Sequence, residues 1–209
     1  MSHFSRPTDR FTQLFRWNGA VTPDEVLNEI ERVAPAQGLP IIGAKRGELL
    51  DEVVREHKPS TILEVGTLVG YSAIRMGRHL EEGQKITCVE MSEGMARVAR
   101  SNFSRAGLGS LIEVIVGDAR DILPKLGGSL DMAFFDAVKE DYLDYLKWIE
   151  WRLHKGSVVV ADNVKSHAEE VGPYLEYVRK SGKYSSAYRD APPNYGSGTG
   201  DAVEVSVKL

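Results

Sequence analysis

One cysteine, Cys88, stands alone in a chain of 209 residues, so no disulfide within the chain can support the fold. No stretch approaches the roughly 20 apolar residues of a membrane span, and nothing resembles a secretory signal, so the expectation is a cytoplasmic protein with no membrane partner. Basic tracts are missing too. The 26 Lys and Arg against 30 Asp and Glu leave a formal charge of −4 spread over both halves. A polyanionic partner is therefore not signalled, and nucleic acid is an unexpected ligand. Repeats, low-complexity segments and long linkers are also absent, so residues 1–209 are expected to form a single domain. What is present is the composition of an ordinary globular protein, 42% hydrophobic and 27% charged.

The order of elements follows from capping signals and apolar periodicity. Thr22-Pro23-Asp24-Glu25 supplies a capping threonine, a first-turn proline and early acids, followed by Val26, Ile30 and Val33 at helical spacing. A second helix is expected over Arg46 to Glu56, with Leu49, Leu50, Val53 and Val54 on one face. These N-terminal helices occupy 1–58, and the core follows over 60–209. From there, apolar runs alternate with amphipathic stretches: Ile62 to Val65, Ile86 to Val89, Ile112 to Val116, Met132 to Phe135 and Val158 to Ala161. Runs apolar on both faces and separated by helices, such as Ser92 to Ala106 and Asp141 to Leu153, are parallel strands. The latter helix is expected to close at His154, Lys155 and Gly156. Tyr184 to Arg189 and Ala202 to Leu209 read as an antiparallel edge hairpin around the loop from Ala191 to Gly200. The sum is an α/β fold: a Rossmann-like, doubly wound, mostly parallel seven-stranded sheet with extra N-terminal helices.

In such a sheet ligands bind beyond the carboxyl ends of the strands. The first strand-to-helix turn reads Glu64-x-Gly66-x-x-x-Gly70-x-Ser72, wider than the G-x-G-x-x-G of a dinucleotide site, and its leading acid would repel a diphosphate. An acid there suits a cationic amino group, and S-adenosylmethionine carries both an ammonium and a sulfonium. The next strand ends at Glu90, about twenty residues on, where a carboxylate can accept ribose hydroxyls. Met91 beside it can pack on the adenine. The third strand ends in Gly117-Asp118-Ala119, whose amides and carboxylate can read the ring's edge. Singly, each glycine could be a turn and each acid a solvated strand end; their order on successive strands makes a cofactor site.

Two later strands end in oxygen ligands, "MAFFDAVK" in Asp136 and "VVVADNV" in Asp162 and Asn163. Neighbouring strands about 4.8 Å apart would bring these groups to one point. Two carboxylates and an amide oxygen favour a hard divalent cation, Mg²⁺ or similar. The alternative is a pair of helix caps. Lys139 close to such a cation would have its pKa lowered by like-charge repulsion and could act as a base. Other candidates are blander. His154 reads as structural, and His167 as a loop residue that could at most touch substrate. Trp148 and Trp151 read as packing residues, and "GSGTG" at 196–200 as a flexible rim.

From about Arg16 onward the chain resembles catechol O-methyltransferases, within the metal-dependent class of small-molecule O-methyltransferases. The likeness is carried by "GAKRGELLDEVVREHKPSTILEVGTLVGYSAIRMGRHL", "FFDAVKEDYL" and "GSVVVADNV". The resemblance implies Mg²⁺-dependent methyl transfer from S-adenosylmethionine to a hydroxyl of a catechol-type aromatic acceptor. It implies metal ligands at Asp136, Asp162 and Asn163 and a catalytic lysine at Lys139. Its cofactor contacts fall on Ile42, Glu64, Gly66, Ser72, Glu90, Met91, Gly117, Asp118, Ala119, Arg120 and Asp136. Acceptor contacts are implied at Asp136, Lys139, Asn163 and, in the C-terminal loop, Tyr195. The departures cluster at the acceptor: Gly38, Pro40 and Val138 replace aromatic or sulfur-containing walls, Ala137 replaces a histidine, and Asn194-Tyr195-Gly196 lacks the acid expected there. The same chemistry on a hydroxylated RNA nucleoside or a thioester-linked phenol is an alternative, and a nicotinamide oxidoreductase is the alternative from another class.

Overall fold

A computed structural model describes residues 21–193 and 200–209. The chain enters through α1 (Pro23–Gln37), whose start follows from local chemistry. The Thr22 hydroxyl accepts the Glu25 amide, while Glu25 returns its carboxylate to the Thr22 amide. Such a cap is worth about 1 kcal/mol. α2 (Gly43–His57) follows, one turn longer at the start than its apolar face announces.

Seven strands then form one sheet, with α-helices between the parallel ones. They are β1 (Thr61–Val65), β2 (Lys85–Glu90), β3 (Ile112–Val116), β4 (Leu130–Phe135), β5 (Leu153–Ala161), β6 (Tyr184–Ala191) and β7 (Asp201–Lys208). The connecting helices are α3 (Tyr71–Gly77), α4 (Glu93–Arg105), α5 (Ala119–Ile122), α6 (Tyr142–Ile149) and α7 (Gly172–Lys180). The spatial order is β3-β2-β1-β4-β5-β7-β6, parallel from β3 to β5 and antiparallel at β7 and β6. Strand order reverses between β1 and β4, the switch point where open α/β sheets bind ligands. The register levels the carboxyl ends there: Val65 pairs with Val89 and Phe135, and Phe135 with Ala161.

Period-two alternation sends neighbours to opposite faces. Ile62, Phe134, Val158 and Val160 pack with α1, α2, α3 and α4, whereas Leu63, Phe135, Val159 and Ala161 pack with α6 and α7. The N-terminal helices are also tied down by charge. Asp51 of α2, 2% exposed, accepts from Arg75 and Arg78 and contacts the His79 ring, so α2 is fixed against α3 and the residues just after it. Removing one partner of such a buried pair typically costs about 3–5 kcal/mol.

Two sequence expectations fail at one place. The helix expected to run to Leu153 stops at Ile149 and passes through a 3₁₀ turn, Glu150–Arg152. His154, Lys155 and Gly156, expected to end it, lie inside β5 instead. Their composition mimics a helix end, but pairing of Leu153 with Leu130 overrides it, and the register shift that follows accommodates Gly156 at φ 90°. Trp151, expected to pack, sits on the turn and is 66% exposed. No helix among the described residues is long and apolar enough to cross a membrane.

Candidate active site

The carboxyl ends of β1 to β5 open into one cavity of about 620 Å³, within the range of about 300–1,000 Å³ usual for small-molecule sites. At its centre is the β1–α3 turn. Gly66 has φ 91°, and a Cβ added to it would collide with the Asp136 carbonyl, so a side chain here would push β1 and β4 apart.

Glu64, one residue before the end of β1, does not reach the cavity. It is fully buried, and its two oxygens accept hydrogen bonds from the Thr67 and Ser72 hydroxyls. Burial pushes its carboxyl up to about 7, against the lowering effect of the Ser72, Thr67 and Cys88 hydrogen bonds. The acid locks the turn from behind, and Ser72 and Thr67 present the cavity wall.

Toward β3 the wall is formed by Glu90, Met91 and the turn Gly117 to Arg120. Glu90 is aimed by the amides of Leu68 and Ser92 at 2.9 and 2.8 Å. Asp118 caps α5 by accepting the Arg120 amide at 2.8 Å. The Arg120 side chain turns to Asp141 at 2.8 Å, which joins this turn to the one carrying Lys139. Met91 is 65% exposed beside the cavity, and Ile42, at the start of α2, is buried against it.

Toward β5 lie the groups expected to serve acceptor and metal. Lys139 Nζ donates to Asp136 Oδ1 and to the Tyr142 hydroxyl, both at 2.8 Å. Tyr142 can accept because its own proton goes to the Phe135 carbonyl at 2.9 Å. Nζ is therefore fixed by two acceptors. Asp162 is 1% exposed; burial, and then the nearby Asp136 charge, push its carboxyl up to about 7, while Arg46 and Lys139 pull it down. Arg46 Nη1 lies 2.9 and 2.8 Å from its two oxygens. Asn163, in a left-handed conformation at φ 61° that asparagine tolerates, donates Nδ2 to Asp201 Oδ2 at 2.8 Å. A carboxylate only accepts, so the amide oxygen is the atom Asn163 has left for another ligand. Burial alone would raise Asp201, but the hydrogen bonds from Ser166 and Asn163 hold it well below the usual carboxylate range.

Among the described residues no three His, Cys, Asp or Glu side chains form a metal cluster. The candidate set is two carboxylates and an amide, all oxygen donors. Hard divalent cations prefer such oxygen donors, so the residue types present fit one.

Sequence reasoning missed Arg46, Asp201 and Tyr142. Pro40, Ala137, Val138 and His167 line the cavity, whereas Gly38, expected with Pro40 and Val138 in the acceptor wall, is not part of its lining. His167 is held by Glu170 through Nδ1 at 3.3 Å. Tyr195, with Asn194 and Gly196, lies outside the described residues.

The O-methyltransferase family profile matches residues 18–177, a span that includes every element from α1 to β5 and the first part of α7. The chain belongs to the O-methyltransferase family. Over 154 residues, 70% of the chain, it is 34% identical to a catechol O-methyltransferase of Bos taurus and 35% identical to that of Sus scrofa. These alignments cover 56% of the bovine protein and 82% of the porcine one, so the chain spans little more than half of the bovine protein's length. Its fold is similar to the O-methyltransferase TomG of Streptomyces achromogenes, solved with S-adenosylmethionine. That match has a TM-score of 0.79 at 26% identity and covers 98% of this chain and all of that one. Membership of the O-methyltransferase family sets aside the dinucleotide reading of the glycine turn.

Proposed function

We propose that this chain transfers the methyl group of S-adenosylmethionine to one hydroxyl of a catechol-type acceptor, with Mg²⁺ or a similar cation held by Asp136, Asp162 and Asn163. One observation carries this reading. The cofactor-type wall of Gly66, Ser72 and Glu90 and the oxygen-ligand wall of Asp136, Asp162 and Asn163 face one cavity, with Lys139 on the second wall. The support from relatives agrees with it, in the catechol O-methyltransferase likeness and the cofactor-bound neighbour.

The residues divide the work by position. Glu90, oriented by two amides, accepts the ribose hydroxyls. Ser72, whose proton is committed to Glu64, offers its oxygen to the ligand's ammonium. The turn Gly117 to Arg120 and Met91 enclose the adenine. A bound divalent cation supplies a Lewis acid that lowers the pKa of an acceptor hydroxyl. Lys139, acting as the neutral amine with its two N–H bonds directed to Asp136 and the Tyr142 oxygen, takes the proton of that hydroxyl on its lone pair and becomes the ammonium. Positioning two reactants in one cavity can contribute about 7–11 kcal/mol in favourable cases.

The test is transfer of a labelled methyl group from S-adenosylmethionine in the presence of Mg²⁺. Catechols should be labelled, whereas monophenols and RNA should remain at background. Equal labelling of phenol and catechol would overturn the vicinal-diol reading, and labelling of RNA alone would move the acceptor to another class.

A further inference from the structure

One nitrogen joins two carboxylates at the acceptor end of the cavity. Arg46 Nη1 lies 2.9 and 2.8 Å from the oxygens of Asp162 and 3.3 Å from Asp201 Oδ2. A guanidinium NH₂ has two hydrogens, so three carboxylate oxygens compete for it. All three side chains are secluded, at 12%, 1% and 14% exposure for Arg46, Asp162 and Asp201. Asp201 has further partners. It accepts from Asn163 Nδ2 at 2.8 Å, from the Ser166 hydroxyl at 2.6 Å and from the amides of Lys165 and Ser166 at 3.2 and 3.1 Å. Through this one carboxylate the loop after β5, which holds both Asp162 and Asn163, is clipped to the first residue of β7.

Resting on the divalent-cation reading above, we infer that Arg46 and Asp201 are positioning residues of the cation site. Arg46 neutralises Asp162 in the cation's absence and competes with the cation for that carboxylate. Asp201 draws the guanidinium away and fixes the Asn163 amide with its oxygen available. The two residues therefore act with opposite signs. Arg46 weakens cation binding while keeping the empty site folded, because an unpaired buried carboxylate is strongly destabilising. Asp201 strengthens cation binding by orienting one ligand and by offering the arginine a second anion.

The experiment is titration of the full chain with Mn²⁺, followed by electron paramagnetic resonance of the free ion, with no acceptor present. Arg46→Met should tighten Mn²⁺ by about tenfold or more, tenfold being the size expected for one charge removed about 6 Å from a divalent ion at a water-like dielectric of about 80. Arg46→Lys, which keeps the charge, should stay near wild type. Asp201→Asn should weaken Mn²⁺ by about 10- to 100-fold, the usual cost of losing a group that orients a ligand. Thermal melts supply a readout separate from affinity. Without metal Arg46→Met should melt below wild type, and saturating Mn²⁺ should raise its Tm by more than it raises that of wild type. If the methionine variant does not fold, Arg46→Gln carries the same expectation. A merely structural Arg46 would lower Tm and leave Mn²⁺ affinity unchanged or weaker, and that result overturns the inference, as does an Asp201→Asn variant with wild-type affinity. Wild-type protein that binds Mn²⁺ while the variants do not shift sinks this inference alone. Wild-type protein that binds no Mn²⁺ sinks the cation reading with it.

Discussion

Two buried carboxylates, one behind the cavity's central turn and one on its β5 side, show how the same residue chemistry yields different sites. Glu64 near the end of β1 and Asp162 just beyond β5 are 0% and 1% exposed, and burial pushes each up to about 7. Their neighbours differ. Glu64 is held by neutral hydroxyls on its own turn, within eight residues of chain. Asp162 faces a second acid, and its partner is an arginine that also touches Asp201. Neutral, local donors make an acid that locks a loop. A cation shared with a third carboxylate, beside a second acid, makes an acid whose partners are charged and remote in the chain.

The Asp162 end should be the more sensitive in turnover. Lys139→Ala removes the base proposed above, and kcat should fall by about 10² to 10⁴. Single-turnover methylation of a catechol measures this, and S-adenosylmethionine affinity should stay near wild type because Lys139 serves the acceptor wall. A variant with near-normal kcat across neutral pH would show the lysine to be incidental.

The Glu64 end should show itself in stability. Its folded pKa, about 7, lies above the ordinary 4.5, so the folded state binds the proton more tightly than the unfolded chain. The sign is that of a raised acid: its contribution is full below about pH 4.5 and is lost as pH climbs towards 7, by about 3 kcal/mol in all. Urea unfolding of wild type and Glu64→Gln at pH 5 and pH 8 should therefore give a difference that shifts by about this amount in the variant's favour at the higher pH. Parallel pH profiles would show Glu64 to titrate normally and would dissolve the comparison.

Tyr142→Phe is a smaller perturbation. It deletes one of two acceptors on Lys139 Nζ, and kcat should drop by about tenfold, the equivalent of about 1.4 kcal/mol. Thermal stability measured alongside separates this from a packing defect. Smallest is the acceptor wall. Val138 lines the cavity at 43% exposure, and Val138→Trp should lower KM for a small catechol by an amount set by about 0.5–1.5 kcal/mol of ring contact, while penalising a bulky one. Indifference to substrate size would show that this wall does not contact the acceptor.

The same contrast between local and remote partners explains what the sequence made legible. The parallel strands were readable because each is apolar on both faces, and the glycine turn because its residues are consecutive. Asp136, Lys139, Asp162 and Asn163 were readable as strand-end groups in short motifs. Arg46 was not, since it meets Asp162 across 116 residues and Asp201 across 155, and only the fold brings them together. Asp201 is one acid after a glycine-rich loop, with no motif to mark it. Glu64 is legible as part of the glycine turn, but its burial behind Thr67 and Ser72 is not, because hydroxyls that sequester an acid look like ligand contacts in a string of letters. At His154 to Gly156 a helix-ending composition was overruled by strand pairing with β4.

The central claim is that Asp136, Asp162 and Asn163 hold a divalent cation on which methyl transfer depends. Its most direct test is initial-rate transfer from S-adenosylmethionine to a catechol in excess EDTA, followed by addition of Mg²⁺ beyond the chelator. The account predicts background rates in EDTA and full recovery with Mg²⁺. Undiminished turnover in EDTA would contradict it and leave Arg46 as the permanent counterion of Asp162.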